Sequence, residues 1–281
     1  MSPSFVSIVE AQIAGGKVKL PVFGGTALNL QRMLANPPDT TKPIEGLLAS
    51  DPVLASAVLR LANSSFFGGL AQVKTIHDAL LRLGMNQVMR IALVVSQQQA
   101  YRVKTKDMQP VVSALWIHAL ATAIGAQWLA QKVGRGAIAA EAFLAGMVHD
   151  IGKLLVVRVI DDLRATRPDF RPPAGLVTEM LDSLHAKYGG HLARGWNLPD
   201  AYVHVIEHHH DPEPAQSDTL LTLVRLVDQA TNSLGYGLHA KHEAQLAATR
   251  EAQLLGLTDV LVAELEIHLE DSVAATQAAA G

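Results

Sequence analysis

Apolar residues recur at helical intervals along almost the whole chain, and this spacing restricts the fold more than any other feature. Leu47, Leu48, Val53, Leu54, Val58, Leu59 and Leu61 follow one another at steps of three and four, as do Ile76, Leu80, Leu81 and Leu83. Alternating runs of period two, bounded by turns, are scarce. Asn36-Pro37-Pro38, Gly68-Gly69, Gly134-Arg135-Gly136, Arg171-Pro172-Pro173 and Asp211-Pro212-Glu213-Pro214 cut the chain into helices of ordinary length. The spacing therefore predicts an all-α protein. No internal repeat of roughly 20 to 50 residues is visible. The closing "SVAATQAAAG" is low-complexity alanine, expected to fray.

With 281 residues, the chain is long enough for one large domain or two smaller ones. Apolar residues make up 49% and charged residues 17%, which excludes wholesale disorder. A formal charge of -3 lacks the basic excess of a nucleic-acid binder, so no nucleic-acid partner is expected. The absence of cysteine removes disulfide scaffolds, zinc ribbons and thiolate catalysis, leaving His, Asp and Glu as metal ligands. The N-terminal "MSPSFVSIVEAQIAGGKVKLP" has no basic region ahead of a long apolar core, and no later run reaches about 18 uninterrupted apolar residues. A soluble, cytoplasmic protein without a membrane partner is the expectation. A polar stretch, "YRVKTKDMQP" at 101–110, separates two helical halves. It predicts an N-terminal helical lobe over 1–108 packed on a C-terminal lobe over 109–281, which holds nearly all the histidines.

Several polar groups sit on helices that otherwise read as buried. His118 lies among Leu115, Trp116, Ile117 and Leu120; on its own it reads as a core histidine with backbone or water partners. His149 and Asp150 follow Phe143, Leu144, Met147 and Val148. Asp150 could cap a helix starting at Ile151, which leaves His149 unexplained, and Gly152 would allow a close backbone approach. Asp228 stands mid-helix among Leu223, Val224, Leu226 and Val227, where a carboxylate needs a cationic partner. Arg225, three residues away, is the local candidate. Against these separate readings stands the set itself, four N and O donors suited to a hard or borderline divalent metal. His185 and the run His208-His209-His210 lie between them, and the run could equally be a solvated helix end. Successive helical residues diverge by about 100°, so no more than two of the three can enter one pocket. His77, His191, His204, His239, His242 and His268 are assigned to surfaces or ordinary cores.

The order His118, His149-Asp150, Asp228 resembles the metal signature of the HD superfamily of phosphohydrolases, H…HD…D in a helical bundle. "HDIGK" is similar to the spelling of the HD-GYP branch, and His185 with His208 and His209 matches the ligands that hold a second metal there. The GYP segment is absent: the chain reads "DPEPAQ" after the histidines, which puts cyclic-di-GMP hydrolysis in doubt. "LLASDPVLASAVLRLANSSFFG", "VKTIHDALLRLGMNQVMRIAL" and "HLARGWNLPDAYVHVIEHHH" resemble the HDOD domain, an HD-related output domain of bacterial signalling proteins, from about residue 20 to residue 238.

That resemblance implies an all-helical bundle of HD type and a regulatory role, with a signalling protein or small signal molecule as partner. It implies His118, His149, Asp150, His185, His208, His209 and Asp228 as ligands of one or two divalent ions, with Fe, Mn, Mg, Ni and Zn equally open. Asp150 is placed to bridge two cations, since one carboxylate can give an oxygen to each. The second function class is a metal-dependent phosphohydrolase. In it Asp150 and Lys153 are the catalytic candidates, with Lys153 meeting a phosphate oxygen or, alternatively, resting solvated on a helix surface. Asn63, Ser64 and Ser65 are expected to cap helices or fix a turn.

Overall fold

A computed structural model describes residues 4–15, 29–30, 32–34, 36–63, 72–98, 101–167, 169–212, 218–239 and 245–280. Ser64, Ser65, Gly68-Gly69, Glu213-Pro214 and His242 lie outside the described residues. Among those described there is no strand, as the period-three-and-four spacing predicts. The chain divides into two units, residues 21–100 with 274–281, and residues 1–20 with 101–273.

In the smaller unit, α2 (Lys42–Ala49), α3 (Pro52–Ala62), α4 (Ile76–Leu83) and α5 (Met85–Gln98) close over Ile44, Leu48, Leu54, Val58, Leu80, Met89 and Leu93. Thr75 caps α4 by accepting the Asp78 amide at 3.0 Å. Gly84, at φ 80°, then turns the chain through 117° into α5, a conformation that glycine alone adopts at little cost. Asn63 ties the end of α3 to Val73. Its side-chain amide donates to the carbonyls of Leu59 at 2.9 Å and Val73 at 2.8 Å, and its Oδ1 accepts the Val73 amide at 2.8 Å.

The larger unit holds α1 (Phe5–Ala14), α6 (Gln109–Lys132), α7 (Ala139–Val148), α8 (Ile151–Thr166), α9 (Ala174–Gly195), α10 (Asp200–His208), α11 (Thr219–Ser233), α12 (Arg250–Leu254) and, as far as residue 273, α13 (Asp259–Ala280). Helix α6 is its axis. Pro110 sits in its first turn, where the missing N–H costs nothing, and Val112, Leu115, Ala119, Ala123, Ala126 and Leu129 are buried along its length. With the turn before it, this helix is long and apolar enough to span a bilayer by length and composition, yet it is mostly buried here as a core helix against α7 and α11.

Two glycines set the spacing around it. A Cβ on Gly146 would come within 2.8 Å of the Thr122 carbonyl oxygen, so α7 lies directly on the α6 backbone. A Cβ on Gly152 would lie 1.9 Å from the His185 carbonyl oxygen, so α8 and α9 touch backbone to backbone, the close approach anticipated for this residue.

The sequence reading puts residues 1–108 in one lobe; in the structure 1–20 and 101–108 lie with the larger unit. Phe5 meets Phe170 edge to face at 5.1 Å, Val9 is fully buried, and the Tyr188 hydroxyl donates to Glu10 at 3.0 Å. Segment 101–108 is held by buried Asp161, which accepts the amides of Lys104 at 2.7 Å and Thr105 at 2.9 Å and the Thr105 hydroxyl at 2.6 Å. The alanine-rich tail, expected to fray, continues α13 to Ala280, in keeping with alanine having the highest helix propensity.

Candidate metal centre

Five parts of the larger unit meet at one place. The middle of α6 supplies His118, and the turn between α7 and α8 supplies His149 and Asp150. The middle of α9 supplies His185, the turn after α10 supplies His209 and His210, and α11 supplies Asp228. Their donor atoms form two groups, His118 with His149 and Asp228, and Asp150 with His185, His209 and His210. Within each group the atoms lie within 4.8 Å of one another.

In the first group His118 Nε2 is 3.0 Å from Asp228 Oδ1 and 3.2 Å from His149 Nε2. In the second, His185 Nε2 and His209 Nε2 are 3.3 Å apart, each 3.4 Å from Asp150 Oδ1. The other oxygen of the same carboxylate turns to the first group, at 3.4 Å from His118 Nε2 and 3.5 Å from His149 Nε2. Asp150 thus stands between the two groups with one oxygen toward each.

The partners of the far ring nitrogens decide what the near ones can do. His118 Nδ1 faces the Tyr236 carbonyl at 2.7 Å and His149 Nδ1 the Gly146 carbonyl at 2.7 Å. His185 Nδ1 faces the Leu181 carbonyl at 2.8 Å, and His209 Nδ1 those of Val205 and Ile206 at 3.1 and 3.0 Å. A carbonyl only accepts, so each Nδ1 carries a hydrogen, and a ring without a second proton turns a lone pair inward through Nε2. Carbonyls behind the rings in this way orient metal-binding imidazoles.

Burial and charge compete across the centre. Burial pushes His185 down to about 3 and His210 down to about 4, so both rings are neutral. For His118 burial is outweighed by the carboxylates of Asp228 and Asp150, and its pKa rises. Burial would raise both acids; Lys153 and His149 for Asp150, and His118 and His149 for Asp228, hold them well below the usual carboxylate range. A proton on His118 can satisfy the first group. In the second, lone pairs of His185 and His209 face each other and face Asp150 Oδ1, a buried oxygen with no hydrogen-bond partner. A divalent cation fits the donor set of the two groups together, five imidazoles and two carboxylates without thiolate.

The structure alters some of the sequence assignments. His208 lies outside both groups: its Nδ1 is 2.7 Å from Asp211 Oδ2, and its side chain is 41% exposed. His210 takes the place expected of it, because α10 ends at His208 and the next two residues leave the helix ahead of Pro212. That proline was the available signal for where the helical phase stops. Asp150 stands at the start of α8 but its side chain makes no capping bond. Lys153 is not solvated: it is buried, with Nζ 2.7 Å from Asp150 Oδ2. Arg225 turns away from Asp228 to Glu251, at 2.7 Å, and Asp228 instead accepts from Asn232 Nδ2 at 2.9 Å. The remaining described histidines stand apart from the centre, His77 beside Glu45, His191 on its own helix, His204 beside Asp218, His239 beside Asp182, and His268 stacked on Trp128.

The architecture has known counterparts. An HDOD domain protein of unknown function from Geobacter sulfurreducens superposes with a TM-score of 0.74 at 20% identity, covering 96% of each chain. A protein from Marinobacter aquaeolei VT8 inferred to act in signal transduction gives 0.70 at 23% identity, over 99% of this chain and 67% of that one. Another, from Shewanella amazonensis SB2B and inferred to be a metal-dependent phosphohydrolase, gives 0.64 at 16% identity, over 94% and 97%. In sequence, an uncharacterized protein of Treponema pallidum (strain Nichols) is 28% identical over 208 residues, 72% of this chain; the match spans 40% of that relative's length. The HDOD domain model itself matches residues 20–212. Helical architecture, motif order and that match agree, and the chain belongs to the HDOD domain family.

Proposed function

We propose that this chain is a signalling output module of HDOD type, acting in the bacterial cytoplasm through a partner protein or small signal molecule, and that its buried cluster holds one or two divalent metal ions. The observation that carries the metal site is Asp150, with one oxygen toward each group and the inner one unpartnered. His118, His149, Asp150, His185, His209, Asp228 and His210 would hold the ions. Burial favours a supporting ion: of these residues only His210 is exposed, whereas turnover requires an open coordination position. An ion there ties α6, α7, α9, α10 and α11 to one point and adds its binding energy to the fold. The modest negative charge favours a protein or small-molecule partner over nucleic acid.

Metal analysis of protein purified without a histidine tag tests the site. Bound metal is expected in the parent and is lost in His149→Ala and Asp228→Ala; a metal-free parent overturns the reading.

The exposed edge at His210 supports a second reading, a metal-dependent phosphohydrolase. Bound metal there supplies Lewis acidity and an acidified water. A substrate phosphate would share the Lys153 ammonium with Asp150, its ion-pair partner. Phosphoesters assayed with manganese or iron separate the two readings: hydrolysis that Asp150→Ala abolishes would establish the enzyme.

A further inference from the structure

Helix α11 contributes to both halves of the centre. Asp228 belongs to the His118–His149 group, while Arg225, one turn earlier, reaches the chain that carries His209 and His210. Arg225 Nη1 donates to the carbonyl oxygens of His209 at 2.9 Å and Asp211 at 2.6 Å, with that of His208 at 3.4 Å. These are carbonyls at the C-terminal end of α10, where an intrahelical partner is lacking and a cation is favoured. Arg225 Nε donates to Glu251 Oε1 at 2.7 Å, and both residues are buried. Glu251, in α12, therefore fixes the guanidinium through Nε, and Nη1, the other arm of the fork, spans the turn.

The brace acts on a turn that has to place two adjacent rings. His209 Nδ1 contacts Val205 and Ile206, which orient the ring but do not hold the chain beyond residue 209. Among the described residues, the backbone from there to Asp211 makes one backbone bond, the Asp211 amide to the His208 carbonyl at 3.0 Å, and is otherwise held by Arg225.

Resting on the metal reading above, we infer that Arg225, oriented by Glu251, is a positioning residue for the His209–His210 half of the centre. Removing the pair should empty that half while leaving His118, His149 and Asp228 able to bind. Outer-shell changes of this kind cost about 10- to 100-fold in metal affinity.

The experiment uses the full chain and Mn²⁺ as probe, with binding followed by calorimetry. Arg225→Met combined with Glu251→Leu replaces both partners and leaves no unpaired buried charge. The double variant is expected to keep the parent's helical circular dichroism and to lose, by at least about tenfold, the same binding component that His209→Ala loses. Asp228→Asn should weaken the other component. Amide hydrogen exchange without metal is an independent readout: His209 and Asp211 should exchange faster in the double variant, and α6 should not change.

Should the double variant fail to fold, Arg225→Lys carries the test, because one ammonium keeps the charge beside Glu251 but not the fork; a smaller loss in the same component is expected. Parent-like Mn²⁺ affinity in a folded variant overturns the role of Arg225. A parent that binds no Mn²⁺ overturns the metal reading itself, and the two failures are thereby distinct.

Discussion

A single carboxylate at position 161 holds the segment that leads into α6. Asp161 is fully buried and accepts three hydrogen bonds, two from consecutive amides and one from a hydroxyl. Asp161→Asn turns an NH₂ toward at least one backbone amide, which only an acceptor can satisfy, at a cost of about 3 kcal/mol. Urea unfolding is expected to show that loss. On the smaller unit, His77 and Glu45 form an exposed pair at 3.0 Å. Glu45 raises the His77 pKa above 6.5, while Thr41 and then His77 lower that of Glu45 below 4.5. The His77 contribution to stability is complete below 6.5 and fades as pH rises through its folded value. The Glu45 contribution is complete above 4.5 and fades as pH falls through its own, so the pair is favourable between the two. In an NMR titration, Glu45→Gln should bring the His77 pKa back toward 6.5. Single-residue roles were only partly legible in the sequence. Burial of His118, His149 and Asp228 follows from their apolar neighbours, but the burial of Lys153 does not, because only the folded chain puts Asp150 against its ammonium.

Between elements, glycines decide how near the helices come. Gly152→Ala would force its methyl into the His185 carbonyl, where backbone on both sides leaves no flexible group to give way. A loss of at least about 1–3 kcal/mol is expected, together with weaker metal retention, because the same contact sets His185 against Asp150. Gly175, in the first turn of α9, meets nothing within 4 Å. Gly175→Ala should therefore be neutral or stabilising by up to about 1 kcal/mol, and paired denaturation curves check both. Helical spans were readable from local spacing and from proline and glycine punctuation. The end of α10 was the exception that mattered, since the turn that follows it brings His210, two residues beyond His208, to the site.

Over the whole molecule, the centre ties together helices that are far apart in sequence, so its occupancy should be visible as global stability. Chelation with EDTA is expected to lower the unfolding free energy of the parent by about 3 kcal/mol when free metal had stood near a hundred times its dissociation constant. Asp228→Asn should respond little to the same treatment, and thermal scans with and without chelator measure the difference. At this scale the sequence by itself determined the helical class, the family and the order of the metal-ligand candidates. Periodicity and motif order are properties of the chain that hold whatever its neighbours do. Tertiary structure alone decided the grouping of residues 1–20 and 101–108 with the larger unit, the choice of His210 over His208, and the pairing of Arg225 with Glu251 rather than Asp228. Each of these depends on which distant groups come within reach; Pro212 signals where α10 stops, but not which of the three rings then meets Asp150.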